Sequence, residues 1–241
     1  MKRLILLLML TVSFAGVTMA QQVQDVTLGS THTYTANPEA GTTANEYKWQ
    51  IVSGGVDVID LTTEKGAAVS ITFAAADFAE GNTYQLRSQV IDNTGCISEY
   101  VYVDITVLGV GNVMFADLNT NDNAITCSLL DGDTPSATSF DVVFSGGVAP
   151  FELTYEVEDH EGNTTTQKQT FPASTGTISV NDWENTVKVD QTVTITLISA
   201  VTKDGQNVPV ITTDATSIVG KNNIRTLTVR PKPVITNLTL N

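Results

Sequence analysis

The sequence predicts an all-β protein built of two β-sandwiches in tandem. Apolar and polar residues alternate with a period of two in many short runs, which is typical of strands with one buried face. Turn-forming sequences such as Ser53-Gly54-Gly55 and Asp204-Gly205 separate these runs, and helix signals are almost absent beyond the first 20 residues. The pattern breaks at Gly109–Gly111 and then restarts, which indicates two units.

Residues 1–20 have the pattern of a cleaved secretory signal peptide. Lys2 and Arg3 form a positively charged n-region, and an apolar h-region runs from Leu4 to about Val17. Thr18-Met19-Ala20 offers small residues for the peptidase. A membrane anchor is the alternative, but the apolar stretch is shorter than the roughly 20 residues that span a bilayer. We therefore expect export to the periplasm, the outer-membrane surface or the extracellular space.

The first half, residues 21–108, is predicted to be one sandwich. Its apolar positions recur at every second residue, and turn sequences such as Glu80-Gly81-Asn82 stand between the runs. The alternating runs are Tyr47–Ile51, Val69–Phe73, Tyr84–Val90 and Val101–Val107. Short alternating runs with turns between them favour antiparallel sheets that have one wet face.

A linker at residues 109–111 precedes the second predicted sandwich, residues 112–233. This half repeats the pattern of short alternating runs, and in both halves one strand is followed by a turn that contains an aspartate and a glycine. Its runs are Ile125–Leu129, Phe140–Phe144, Phe151–Val157, Val193–Leu197 and Leu227–Val229. Two prolines, Pro231 and Pro233, end the last strand. Residues 234–241 form a tail that is either strand-like or disordered.

The first half resembles a PKD-like, immunoglobulin-like domain over about residues 26–108. Tyr47-Lys48-Trp49, Gly81-Asn82-Thr83-Tyr84 and Asp92-Asn93-Thr94-Gly95 match the family's Y-x-W, G-x-Y and D-x-x-G patterns. The family's F-G-D-G turn is replaced here by Ser53-Gly54-Gly55. The resemblance implies an immunoglobulin-like β-sandwich.

Trp49, Tyr84 and Leu86 are predicted to form the structural core of this domain. Tyr84 follows Gly81 as in a tyrosine corner, where the phenol bonds a loop backbone. Leu86 stands where an immunoglobulin has its second cysteine. We expect Trp49 to pack against Leu86 from the facing sheet, with Ser88 leaving room beside the indole.

The second half is similar to the immunoglobulin-like modules of secreted Bacteroidota surface proteins. The segment from Ser145-Gly146-Gly147 through Pro150-Phe151 to Tyr155 follows their G-G-x-x-P-Y/F-x-x-x-Y/W pattern. Such modules occur in adhesins, in gliding and type IX secretion partners, and in polysaccharide-handling proteins. The resemblance therefore implies a role at the bacterial surface.

Composition excludes several classes of function. The formal net charge is −14 with 16% charged residues, so neither nucleic acid nor an anionic lipid surface is an expected partner. Two cysteines exclude a disulfide-dense scaffold. A bond between Cys96 and Cys127 would require the two halves to fold back on each other, and Cys127 is expected in a core. No nucleophile or metallohydrolase motif is present, so we predict no enzyme and no cofactor.

The second half also contains candidate ligands for calcium. The segment that starts at Asp117 imitates an EF-hand loop, but its sixth position lacks the glycine and its twelfth lacks the glutamate. A different calcium site made of Asp117, Asn119, Asp131 and Asp133 stays open. The alternative is a pair of polar loops around one strand.

Three aromatic side chains are candidates for binding. Val101 and Val103 are expected on the core face, so Tyr100 and Tyr102 should point outward, where phenols stack on sugars or anchor a protein interface. Packing across strands, or contact with the second domain, is the alternative for both. Trp183 lies on a predicted loop beside acidic residues and is either a binding anchor or a half-buried loop residue.

Together these features predict a secreted, acidic, non-enzymatic module for adhesion or structure in a cell-envelope or surface assembly. Its predicted partner is an envelope or surface protein, and gliding or type IX secretion are candidate systems. Binding would use exposed aromatics and sheet edges, and the tail could add a strand to a partner. The alternative is a glycan-binding module of a polysaccharide-handling surface system.

Overall fold

The structure, a computed structural model, describes residues 22–116, 124–129, 134–212 and 223–233. Within these ranges the chain forms strands, turns and loops and no helix, so the predicted all-β class is confirmed. The predicted leader, the calcium candidates Asp117, Asn119, Asp131 and Asp133, and the tail at 234–241 lie outside the described residues.

The first sandwich has two sheets. Its strands are β1 (Gln22–Thr27), β2 (Thr31–Thr35), β3 (Ala44–Ser53), β4 (Val56–Ile59), β5 (Ala68–Thr72), β6 (Thr83–Asp92) and β7 (Val101–Leu108). One sheet has the order β1-β7-β6-β3-β4, and β2 and β5 form the other. Strand β1 runs parallel to β7, and the other pairs are antiparallel. This is the immunoglobulin order, in which strands C, F and G share one sheet and B and E belong to the other.

The second sandwich repeats that order. Its strands are β8 (Val113–Phe115), β9 (Ala124–Cys127), β10 (Ala137–Phe144), β11 (Phe151–Glu158), β12 (Thr164–Phe171), β13 (Thr175–Asn181), β14 (Gln191–Val201), β15 (Asn207–Val208) and β16 (Ile224–Arg230). One sheet runs β13-β10-β8 and the other β12-β11-β14-β16-β9, with β15 paired to β14. The immunoglobulin-like tandem is therefore visible in the strand order itself.

Each sandwich has its own apolar core. Alternation along β6 buries Tyr84, Leu86 and Ser88 and leaves the residues between them at least partly accessible. In the second sandwich Phe144 stacks on Phe151, with ring centroids 4.2 Å apart. Each such apolar side chain stabilises the fold by about 1.5–3 kcal/mol when fully buried.

The junction between the sandwiches is held by polar contacts. The backbone N–H of Thr27, at the end of β1, donates to Oδ2 of Asp204 at 2.8 Å, and Thr27 Oγ1 accepts from the N–H of Val148 at 3.1 Å. His32 Nε2 lies 3.6 Å from the same Asp204 oxygen. Asp204 belongs to the turn between β14 and β15, so one buried carboxylate connects both sandwiches.

The backbone at Gly111 approaches the backbone at Gly146 so closely that only glycine fits at position 111. Gly111 has a φ of +68°, and a Cβ there would lie 2.3 Å from the backbone nitrogen of Gly146. A side chain at position 111 would therefore clash and strain the backbone.

Two expectations about the cores were wrong. Trp49 and Leu86 do not come from facing sheets, because β3 and β6 are neighbours in one sheet, where Trp49 pairs with Ser88 and Ile51 with Leu86. Cys127 is exposed rather than buried, and Cys96 is also a free, exposed thiol. The outermost strand β9 turns Ala124 toward the core, so the alternate residues Ile125 and Cys127 face solvent.

Candidate binding surface

Tyr102 stands on the outer face of the five-stranded sheet of the first sandwich. It pairs across strands with Arg87 on β6, and Arg87 pairs with Gln50 on β3. Residues paired in this way point to the same face, so one row of side chains crosses three strands. Tyr102 is 46% exposed.

Tyr100, immediately before β7, joins this row. Its hydroxyl donates to Oε1 of Gln50 at 2.9 Å, and Nε of Arg87 donates to the same oxygen at 3.1 Å. The guanidinium carbon of Arg87 lies 4.7 Å from the centre of the Tyr100 ring, which is within cation–π range. Tyr100, Tyr102, Arg87 and Gln50 are called the Tyr100 cluster below.

The cluster has exposed apolar neighbours. Val23 on β1 pairs with Asp104, which is two residues from Tyr102 and on the same face. Val101 was expected on the core face but is 61% exposed, because the first residues of β7 extend past the end of the core. Val23 therefore adds exposed apolar surface to the face that carries Tyr102, whereas Val101, paired with Ser88, lies on the opposite face.

Sequence reasoning missed Arg87 and Gln50. Both occupy the polar positions of alternating strands, which the sequence assigns only to a wet face. The signal that could have found them is cross-strand pairing, which aligns both with Tyr102 but needs the strand register.

Trp183 lies in the second sandwich, in the loop that connects β13 and β14. It is half-buried against the core, its Nε1 donates to Oε1 of Gln191 at 3.1 Å, and it stacks on the exposed His160 with ring centroids 5.1 Å apart. The indole is thus engaged within its own domain. The structure does not bring it together with Tyr100 and Tyr102.

Buried polar residues fix the loop that carries Trp183. The carboxylate of Asp182 accepts hydrogen bonds from the hydroxyls of Ser136 and Thr138, and Asn185 donates to the backbone oxygens of Val189 and Val229, each at 2.8 Å. The sequence identified Asp182 only as an acidic neighbour of Trp183. In the structure its buried carboxylate anchors the loop through these hydrogen bonds.

The core residues Trp49, Tyr84 and Leu86 are all buried in the first sandwich. Trp49 Nε1 donates to the backbone oxygen of Gly66 at 2.9 Å. The Tyr84 hydroxyl accepts from the N–H of Ala79 at 2.8 Å, the kind of phenol-to-loop bond that a tyrosine corner makes. These side chains support the sheet that carries the Tyr100 cluster.

Three aspartates organise turns through hydrogen bonds to their carboxylates. Hydrogen bonds from the Thr94 hydroxyl, then from the Cys96 backbone N–H, hold the pKa of Asp92 below its usual value. Bonds from Thr62 lower the pKa of Asp60, and bonds from Asn163 lower that of Asp159. Asp92 closes the hairpin between β6 and β7, beside which Tyr100 lies.

Neither a metal cluster nor a membrane-spanning helix is found where the structure is described. No group of three or more histidine, cysteine, aspartate or glutamate side chains there could hold a metal ion. In the same residues no helix is long and apolar enough to cross a bilayer.

Comparisons with known proteins give only distant structural matches. No protein-family model and no curated protein matches the chain. Among solved structures it is similar to the fibronectin(III)-like modules of Clostridium thermocellum CbhA, at 10% identity over 89% of this chain and 92% of that one, with a TM-score of 0.35. Chicken CNTN1 domains FN1–FN3 match at 9% identity over 87% of this chain and 68% of that one, with a TM-score of 0.36. The D00-D0 domain of intimin matches at 16% identity over 78% of this chain and 94% of that one, with a TM-score of 0.26.

Proposed function

We propose that this chain is an exported, non-enzymatic structural or adhesion module of a bacterial cell-envelope or surface assembly. It binds a surface protein partner through the Tyr100 cluster and through its sheet edges. The first sandwich belongs with the PKD-like domains. The second belongs with the modules of Bacteroidota surface proteins, and gliding or type IX secretion machinery is the first system to examine.

The observation that carries this proposal is the ordered, exposed pair Tyr100 and Tyr102. Tyrosine gives large contact area at low entropic cost, and it is enriched at interface hot spots. The contacts of Tyr100 with Arg87 and Gln50 hold the ring in place before binding. A preorganised side chain loses less conformational entropy when it binds, which raises affinity.

Net charge supports a protein partner over nucleic acid or anionic lipid. At −14 the chain repels polyanions, and it is kept in solution until it meets a partner. The cluster itself presents a cation, Arg87, beside two phenols. A partner surface with aromatic or acidic groups would complement it.

The second candidate ligand is a glycan, and the Tyr100 cluster is again the surface that would bind it. Exposed phenol rings offer stacking faces for sugar rings, and Gln50 and Arg87 add polar groups beside them. We propose separately that residues 234–241 add a strand to the sheet of a partner protein.

The test is capture of envelope proteins by the mature chain, residues 21–241, from a detergent extract of the source organism. Recovery of the same envelope protein by the wild type and by Trp183→Ala, with loss by Tyr100→Ala/Tyr102→Ala, is the expected result. Retention on envelope polysaccharide instead, lost by the same double variant, would favour the glycan. Capture unchanged in the double variant but lost on deletion of residues 234–241 would move binding to the tail.

A further inference from the structure

We propose that the free edge of β12 binds residues 234–241 of a second copy of this chain as an added strand. Each copy receives a strand at β12 and donates one to the next copy, so the contact is heterologous and the assembly is an open head-to-tail chain. The inference rests on the part of the proposed function that concerns residues 234–241, and it names their partner. It does not involve the Tyr100 cluster.

Strand β12 lies at an open edge of its sheet. It pairs only with β11, and it stands at one end of the strand order β12-β11-β14-β16-β9. At eight residues it is the longest edge strand among the described residues, where the next longest, β13, has seven. Every second residue of β12 directs its backbone N–H and C=O away from β11, and such a row is a template for a further strand.

Strand β12 lacks the features that usually protect such an edge. It contains no proline, and its register with β11 continues from Thr164 to Phe171 without a bulge. Its one charged side chain, Lys168, is bound to Glu152, with Nζ 2.6 Å from Oε1. Residues 164–168 are all exposed, so within the described part of the chain no other element covers them. An uncovered edge of this length favours pairing with another strand.

The other edges of the second sandwich are poorer acceptors. Strand β9 has four residues and β8 has three. On β13, the backbone oxygen of Thr177 accepts from Nε2 of Gln169 at 3.0 Å, so a side chain of β12 occupies part of that edge. A strand of eight residues is therefore best accommodated by β12.

Residues 234–241 have the composition of such a strand. Their sequence, VITNLTLN, contains four β-branched residues and no proline, glycine or charge. High β propensity and low charge favour pairing between chains. The net charge of −14 repels one copy from another, so an uncharged donor strand is hindered least, and added salt should strengthen the contact.

The donor segment cannot pair along the whole of β12 in its own chain. A strand added to the free edge of β12 lies four strand spacings from β16, which is about 19 Å. Residues 231–233 bridge about 13 Å to Val234 when fully extended. Lys232 is also bound to Glu184, in the loop before β14, with Nζ 2.8 Å from Oε1. Pairing along the full edge therefore requires a second copy.

Sedimentation velocity of the mature chain, residues 21–241, tests the proposal. We expect the mean mass to rise with protein concentration, and deletion of residues 234–241 to leave a monomer. The variant Tyr100→Ala/Tyr102→Ala should assemble as the wild type does, which separates this contact from the Tyr100 cluster. A wild type that stays monomeric at every concentration, or a deletion variant that still assembles, would overturn the proposal.

Two variants that each keep one half of the contact sharpen the test. The chain without residues 234–241 can only accept a strand, and a chain with a proline in β12 can only donate one. Neighbouring N–H groups point to opposite sides of a strand, so either Thr165→Pro or Thr166→Pro removes an N–H from the open edge, and the one that stays folded is used. Each variant alone should be monomeric, and their mixture should form a dimer and nothing longer. A mixture that stays monomeric contradicts the proposal.

A synthetic peptide of residues 234–241 measures the contact by itself. It should bind the chain that lacks these residues, and the same peptide with Leu238→Pro should bind about tenfold more weakly, because it loses a ladder hydrogen bond and the strand geometry. Equal binding of the two peptides, or binding that the β12 proline leaves unchanged, would show that the segment does not dock on β12. Neither result affects the capture experiment with the Tyr100 cluster.

Discussion

The guanidinium of Arg87 lies over the ring of Tyr100, 4.7 Å from its centre, and both side chains bond the same oxygen of Gln50. This arrangement holds an exposed phenol in one orientation on the open face of a sheet. Its consequence is a surface that is ordered before any partner arrives.

Replacing Arg87 by methionine should weaken partner binding while the sandwich stays folded. The substitution removes the cation over Tyr100 and one bond to Gln50, so the ring loses its preorganisation. We expect about a fivefold to tenfold loss of affinity for the captured partner. Lys48→Met removes a charge from an exposed position on the same face and should have little effect. Equal losses in both variants would instead indicate a simple charge effect.

Tyr34→Phe and Ser88→Ala should each stabilise the protein. Both delete a buried hydroxyl that has no partner, so the folded state loses a desolvation cost of about 1 kcal/mol. Urea unfolding measures the change. Tyr155→Phe is the control, because its hydroxyl donates to Gln167 at 2.9 Å and its loss should destabilise. Destabilisation by all three would mean that the hydroxyls of Tyr34 and Ser88 have hydrogen-bond partners in the folded protein.

Asp204→Ala should loosen the junction between the sandwiches. The backbone N–H of Thr27 loses its acceptor, and His32 loses its carboxylate neighbour. We expect a loss of about 1–3 kcal/mol in the unfolding free energy. Asp204→Asn keeps an oxygen that accepts from the Thr27 N–H, so its unfolding free energy should fall less. Replacing the exposed Asp141 by alanine should leave the unfolding free energy almost unchanged. Identical behaviour of Asp204→Ala and Asp141→Ala would show that the carboxylate does not support the junction.

Acid should weaken the hairpin between β6 and β7 through Asp92. Its pKa is lowered in the folded state by hydrogen bonds, first from the Thr94 hydroxyl. A depressed carboxyl pKa stabilises the fold above the unfolded value of about 3.9, and that contribution is lost as the pH falls through the folded pKa. Asp92→Asn should therefore lose less stability than the wild type between about pH 5 and pH 2. The exposed Asp57→Asn, measured in parallel, should follow the wild-type curve.

The sequence was sufficient for the class of fold. Period-two alternation gives the buried residues of β6 directly, since Tyr84, Leu86 and Ser88 all lie inward. It was insufficient for which strands are neighbours, so Trp49 was assigned to the wrong sheet relative to Leu86. Alternation fixes the face of a residue, whereas strand order depends on contacts between distant parts of the chain.

The candidate site was predictable only in part. An outward position for Tyr102 follows from alternation along β7, but its alignment with Arg87 and Gln50 depends on register. Val101 escaped prediction because a strand can extend beyond the core, where alternation no longer implies burial. The exposure of Cys127 was not predicted, because alternation along an edge strand such as β9 does not say which of its two faces is buried.

Photo-crosslinking from position 102 tests the central claim most directly. A photoreactive amino acid replaces Tyr102 in the exported chain, and a second chain carries it at the exposed Asp141 of the other sandwich. We predict that position 102 crosslinks to one envelope protein in living cells, that position 141 does not, and that Arg87→Met reduces the yield at 102. A crosslink to that protein at position 141 and none at 102 would contradict the account.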